Sequence, residues 1–236
     1  MSVRSRKNMG RQQLRIDSNW EESEAPSGPM QILRVEKILF TGNEPEEKQI
    51  FYAEHGDVEM RRALACTTES REVLLILSKN DDDEDVLNKV MERVIQNEIP
   101  DDDEAISDSL IKNEHATFRI HDTFSRRDMH KGVKALVADV THYAKVLERL
   151  SRNSDYFVLE CVAGNKHTPI SILKRLGKHE NAIVRWAVAN STHTPAGTLQ
   201  KLRGDADESV RDAAVETLRK QMEEEIAENF RIGTGK

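Results

Sequence analysis

The chain has little that would commit it to a particular chemistry. Only two of its 236 residues are cysteine, Cys66 and Cys161, and they lie far apart without a pairing or ligand pattern. That usage fits a reducing compartment, with both thiols expected as small buried side chains. Aromatic residues make up only 5%, and the apolar set is mostly Leu, Ile, Val and Ala, which suits thin helical layers. No stretch approaches the roughly 18 apolar residues of a membrane span, so no membrane partner is expected. Met1 to Trp20 carries basic residues but no apolar h-region, so a secretory signal is not expected and the cytoplasm is the expected compartment. No Ser/His/Asp or Cys/His constellation and no Gly-rich phosphate loop stands out. No catalytic residue, cofactor or metal is therefore assigned.

What the chain does have is a repeat. Val162-Ala163-Gly164-Asn165-Lys166-His167-Thr168-Pro169 is followed by Leu173, Leu176 and Val184-Arg185. Starting 26 residues later, Val188-Ala189-Asn190-Ser191-Thr192-His193-Thr194-Pro195 is followed by Leu199, Leu202 and Val210-Arg211. Self-similarity at one short period marks a solenoid, in which each unit buries its apolar face against its neighbours. Thr168 and Thr194 are placed to cap the helix that follows, with Pro169 and Pro195 at its first position. Ile172, Leu173 and Leu176, matched by Thr198, Leu199 and Leu202, form a stripe facing the core. A polar break follows each stripe, and a second helix opens at Ile183-Val184 or Val210. With two helical pieces per unit, each is short, and one is a candidate for a 3₁₀ turn.

Stepping back one period gives a weaker copy, with Leu147, Leu150 and Val158 in register but Thr141-His142-Tyr143 in place of His-Thr-Pro. A more distant cousin reads Met60-Arg61-Arg62-Ala63-Leu64-Ala65-Cys66 and then Val73-Leu74 and Leu77. The pattern Val-Arg-x-x-Val-Ala-x-Asn-x-x-Thr-Pro-x-x-x-Leu-x-x-Leu resembles the bacterial leucine-rich repeat variant family, a relative of HEAT-type repeats, over about residues 158–220. The resemblance implies an α-solenoid alternating α and 3₁₀ helices in a right-handed superhelix. The family's first-described member also carries a cysteine-bound iron–sulfur cluster, which the two distant cysteines here do not support.

The expected fold class is thus all-α, a solenoid of about 26 residues per unit. Residues 1–30 are expected to be a disordered tail. Residues 31–126 are expected to be an acidic helical region with a degenerate repeat, and 127–230 a repeat solenoid with a terminal cap. Gln31 to Phe40 leans towards helix, and helical patterns follow at about 45–55, 57–66, 69–79, 83–97 and 102–114. Residues 116–126 read as an irregular connector, and a single longer helix is expected from about Arg127 to Leu150.

Charge is segregated: Lys/Arg and Asp/Glu leave a net of −13 over residues 41–110 and +5 over 131–220. Such a bipolar chain can steer oppositely charged partners to its two ends or associate head to tail with itself. The whole chain carries −7, which weighs against nonspecific nucleic-acid binding. Asn80-Asp81-Asp82-Asp83-Glu84-Asp85 lacks the glycine of a calcium loop and is read as helix capping, as is Asp101-Asp102-Asp103-Glu104. His167 and His193 are read as loop residues, since the spacing supplies no further zinc ligands. Arg185 and Arg211, with Arg61 at the cousin position, either line a groove for carboxylates or phosphates or pair internally with the neighbouring unit. Lys174, Arg175, Lys178, Lys201 and Arg203 form a more exposed basic set. The expected function is a non-enzymatic adaptor binding a protein partner through this repeat surface. The alternative is a nucleic-acid-binding or base-processing protein using the basic half, as in HEAT-like DNA glycosylases. An enzyme acting on a protein-bound cofactor ranks third.

Overall fold

The computed structural model describes residues 44–96, 104–126 and 129–233. The readings made for residues 1–40 and for Asp101-Asp102-Asp103 lie outside them. Among the described residues there are thirteen α-helices and no strand. They are α1 (Glu46–His55), α2 (Val58–Thr67), α3 (Arg71–Asn80), α4 (Glu84–Ile95), α5 (Glu104–Lys112), α6 (Phe118–Phe124) and α7 (Lys131–Val140). There follow α8 (Ala144–Leu150), α9 (Tyr156–Gly164), α10 (Ile170–Leu176), α11 (Ala182–Asn190), α12 (Ala196–Leu202) and α13 (Glu208–Gly233). The helices stack in successive pairs as an α-solenoid. One layer runs α1, α3, α5, α7, α9, α11, α13, each packed on the next. On the other side α2 packs on α4 and α4 on α6, and then α8, α10 and α12 each wedge between two long helices. The first layer is continuous from α5 to α7, so the acidic and basic halves belong to one stack.

The leucine stripes build the core. Leu147, Leu173 and Leu199 are completely buried, and Leu150, Leu176 and Leu202 nearly so. Each such side chain contributes roughly 1.5–3 kcal/mol of burial. Lys174 and Gln200, one residue on, are exposed, as the helical period requires. The acid run at 80–85 starts a helix as expected, the Asp83 carboxylate accepting the Val86 N–H, and Asp57 caps α2 in the same way through the Met60 N–H.

The long helices end on a device that the sequence reading missed. Thr68, Asp81, Asn113, Thr141 and Asn165 are buried polar side chains immediately after helices α2, α3, α5, α7 and α9. Each accepts the backbone N–H two residues on, from Ser70, Asp83, His115, Tyr143 and His167. These Asx- and ST-type turns reverse the chain into the next helix. Two of the five, both asparagines, also close the end of the preceding long helix. The Asn165 amide donates to the carbonyls of Ala138, Asp139 and Thr141 at 2.8–2.9 Å, closing the C-terminal end of α7. Asn113 does the same for α3 through Ser78, Lys79 and Asp81 at 3.0–3.2 Å. At the end of α11 the amide comes instead from Gln221 of α13, which donates to Thr192 and Thr194.

Several local expectations are corrected. Thr168 and Thr194 do not cap the following helix; their hydroxyls donate backwards, to the carbonyls of Val162 and Val188 at 2.6 and 2.7 Å. Pro169 and Pro195 occupy the N-cap itself, in extended conformation, one residue before the helix. The short elements are α-helices, and 3₁₀-type bonding is confined to their ends, as in Ile172 N–H to Pro169 and Lys178 N–H to Arg175. The helix expected over 127–150 is broken at Thr141–Tyr143 into α7 and α8. Residues 116–126 contain α6 rather than an irregular connector. Helices α6, α8, α10 and α12 open after Thr117, Tyr143, Pro169 and Pro195, 26 residues apart, so α6 is a full member of the series. Its period was hidden because His121 stands where Leu147, Leu173 and Leu199 stand. The ring is buried, with Nδ1 2.9 Å from Thr141 Oγ1 and Nε2 3.1 Å from the Ile111 carbonyl. Cys66 is exposed rather than buried, while Cys161 is half-buried.

Candidate interaction surface

Each seven-residue helix presents its exposed side between two neighbours, so grooves form along this side of the stack. The seven basic residues singled out from sequence separate into two groups here. Arg185 and Arg211 are consumed internally. Arg185 grips Asp205 through Nε and Nη2, both at 2.8 Å, and donates through Nη1 to the carbonyls of His179 and Glu180. The bond from Arg185 holds the Asp205 carboxyl below the ordinary carboxylate range, and the same pairing raises the guanidinium. Arg211 donates to the carbonyls of Asp205 and Ala206. At the cousin position Arg61 bonds Asp81, Asp82 and the Gly56 carbonyl. Of the two roles open to these arginines, internal pairing is the one adopted, and it recurs in both halves of the chain.

Arg175 is also spoken for. It reaches back to the end of the preceding short helix and bonds the hydroxyl and carbonyl of Ser151. One unit earlier Arg149 bonds Ser125 Oγ and the Asp122 carbonyl, both at 2.9 Å, with Asp122 Oδ1 at 2.6 Å. One unit later the matching pair is Lys201 and Gly177, and no such link forms. Between α10 and α12 a groove of about 530 Å³ is lined by Lys174, Lys178, Lys201, Pro195, Thr198 and Leu202, with Gly177 at its base. No hydrogen bond or ion pair engages the three lysine ammonium groups within the described residues. Arg203, nearby and exposed, hydrogen bonds Gln200. Neighbouring grooves contain acids: Glu92 and Asp122 line the one between α4 and α6, and Glu148 the one beside α8. The groove between α10 and α12 has no carboxylate in its lining.

A second surface feature was not anticipated. Tyr156 and Phe157 open α9, and Ile183 opens α11 at the position equivalent to Phe157; their exposures are 49%, 47% and 44%. Both helices begin with a capping side chain, Asp155 and Asn181, bonding the second amide. The first turn of a capped helix at the solvent is ordinarily polar, so apolar residues there are the signal that could have found this patch. Ile170, at the first position of α10, is 55% exposed.

His167 and His193 are exposed, with the His167 ring 6.3 Å from that of His142. Among the described residues no group of three or more His, Cys, Asp or Glu side chains could hold a metal ion. Burial pushes the Cys161 thiol up to about 11, which keeps it protonated at neutral pH. No described helix is long and apolar enough to cross a membrane. No family model, no curated protein and no solved structure matches the chain.

Proposed function

We propose that this protein is a non-enzymatic scaffold that binds another protein through the surface of its helical repeats. The observation that carries this reading is the exposed apolar patch of Tyr156, Phe157 and Ile183 on two helices packed against each other. Rigidly held aromatic and branched side chains bury large area at low entropic cost, and this is how protein interfaces gain their central contacts. The stack fixes the patch on capped helices, so little ordering remains to be done on binding. Affinity purification with the intact chain and with the variant Tyr156→Ser/Phe157→Ser/Ile183→Ser tests it. A discrete protein partner, retained after nuclease treatment and lost with the variant, is expected. Recovery of no discrete protein, or equal recovery by both chains, would overturn the reading. The nucleic-acid reading is favoured by one observation, the three unpaired lysines between α10 and α12. It requires a gel shift whose affinity falls steeply as salt is raised.

A further inference from the structure

We propose that the groove between α10 and α12 binds an acidic peptide segment, whose carboxylates engage Lys174, Lys178 and Lys201. The proposal rests on the scaffold reading and adds to it the chemistry of a partner and the place where it sits. The other two short-helix junctions are bridged by an arginine reaching back to a serine: Arg149 to Ser125 and Arg175 to Ser151. At the third junction, Gly177 and Lys201 replace the serine and the arginine. The backbone does not call for glycine there. Gly177 has φ −64° and ψ −6°, and Ser151 has φ −66° and ψ −4°. The backbone torsions therefore admit a serine, and its absence together with Lys201 removes the link and leaves the Lys201 ammonium without a protein partner among the described residues. A Cβ on Gly177 would come within 3.2 Å of both the Thr198 methyl and the Leu173 carbonyl oxygen, so a serine fits there once its neighbours give by a few tenths of an ångström.

The lining selects the occupant. Pro195, Thr198 and Leu202 offer aliphatic wall, and the charge comes from three lysines with no acid among them. An ammonium on a flexible stem follows carboxylates spaced along a chain. The planar fork that reads a phosphate bidentately is missing, because Arg175 is turned to Ser151 and Arg203 to Gln200. No aromatic ring lines the groove, which leaves no platform for stacking a nucleic-acid base. A segment mixing carboxylates with aliphatic side chains fits both features.

The test is fluorescence anisotropy on the full chain with a short labelled peptide in which glutamate alternates with leucine, at about 0.15 M salt. Lys174→Gln/Lys178→Gln/Lys201→Gln should weaken binding roughly tenfold or more, the combined effect of three modest exposed charge contacts. Lys131→Gln/Lys166→Gln, also exposed, should change it by less than about twofold. Restoring the link with Gly177→Ser/Lys201→Arg should weaken peptide binding severalfold while the chain stays folded. No peptide binding, or equal binding by the triple lysine variant, overturns the proposal. So does tighter binding of a single-stranded oligonucleotide that the same triple variant abolishes. Unchanged peptide binding by the restored-link variant refutes the role given to Gly177 and Lys201. These measurements use purified protein and leave Tyr156, Phe157 and Ile183 intact, so their failure is distinguishable from failure of the scaffold reading.

Discussion

Replacing Asn165 by aspartate keeps the side chain's size and inverts what it offers. The amide nitrogen of Asn165 donates to three carbonyls, those of Ala138 and Thr141 at 2.8 Å and of Asp139 at 2.9 Å. Its oxygen accepts the His167 N–H at 2.7 Å, and aspartate retains that bond. The substitution therefore isolates the three donated bonds. The amide has two N–H hydrogens shared among the three carbonyls, so at a net value near 1 kcal/mol per hydrogen their loss costs about 2 kcal/mol, and a buried carboxylate facing three carbonyl oxygens raises this towards about 4 kcal/mol. The new carboxyl is pushed above the ordinary aspartate value of about 3.9 in the folded state, because burial and the carbonyl dipoles disfavour its charge. With the folded value raised, the deficit is smallest below about pH 4, where the acid is protonated in both states and can still donate one O–H. It grows as pH rises through the raised value and is complete at neutral pH. Urea unfolding of Asn165→Asp and of the unmodified chain at about pH 4 and pH 7 measures the difference. Asn113→Asp is an independent repeat of the experiment, since Asn113 closes α3 with the same bonds. A loss under about 0.5 kcal/mol at pH 7, the size of an ordinary surface effect, would refute the idea that these amides fasten the stack.

Leu199→Ala should cost about 2–5 kcal/mol, since the side chain is fully buried, whereas Gln200→Ala on the exposed side should stay within about 0.5 kcal/mol. Because each unit contacts only its neighbours, hydrogen exchange on Leu199→Ala should accelerate in α10 to α13 and spare the helices before about residue 110; uniform acceleration would mean one undivided core. His121 is held below its ordinary value of 6.5 by burial, with the Ile111 carbonyl opposing the shift and His142 adding to it. The unfolded chain then binds the proton more readily, so this group's stabilising effect is complete above about pH 6.5 and is lost as pH falls towards the lowered value. His121→Leu, which restores the leucine of the later units, should flatten the dependence of the urea midpoint on pH over that window. An unchanged slope would show that other groups cause it.

The helical class, the 26-residue period and the core leucines were legible in the sequence, because each depends on spacing within a single helix. Leu173 and Leu199 are buried and Lys174 and Gln200 exposed wherever that helix packs, provided that it packs on one face. The capping by Asp83 was legible for the same reason, its partner lying three residues on. What spacing could not give were the bonds between units. Asn165 and Asn113 find their carbonyls 24 to 35 residues back, and Arg185 finds Asp205 20 residues on. From sequence, Lys201 belonged to the more exposed basic set while Arg185 had both an open and an internal role available, and only the packed stack shows Arg185 paired with Asp205. The same holds for α6: His121 breaks the apolar pattern locally, and its burial is tolerable only because Thr141 and the Ile111 carbonyl, brought up by neighbouring helices, satisfy both ring nitrogens. Thr168 likewise had two possible partners within a few residues, the amides ahead and the Val162 carbonyl behind, and its hydroxyl bonds the carbonyl. Local periodicity thus determined which residues are inside, and tertiary packing decided which polar groups are already paired and which remain free to meet a partner.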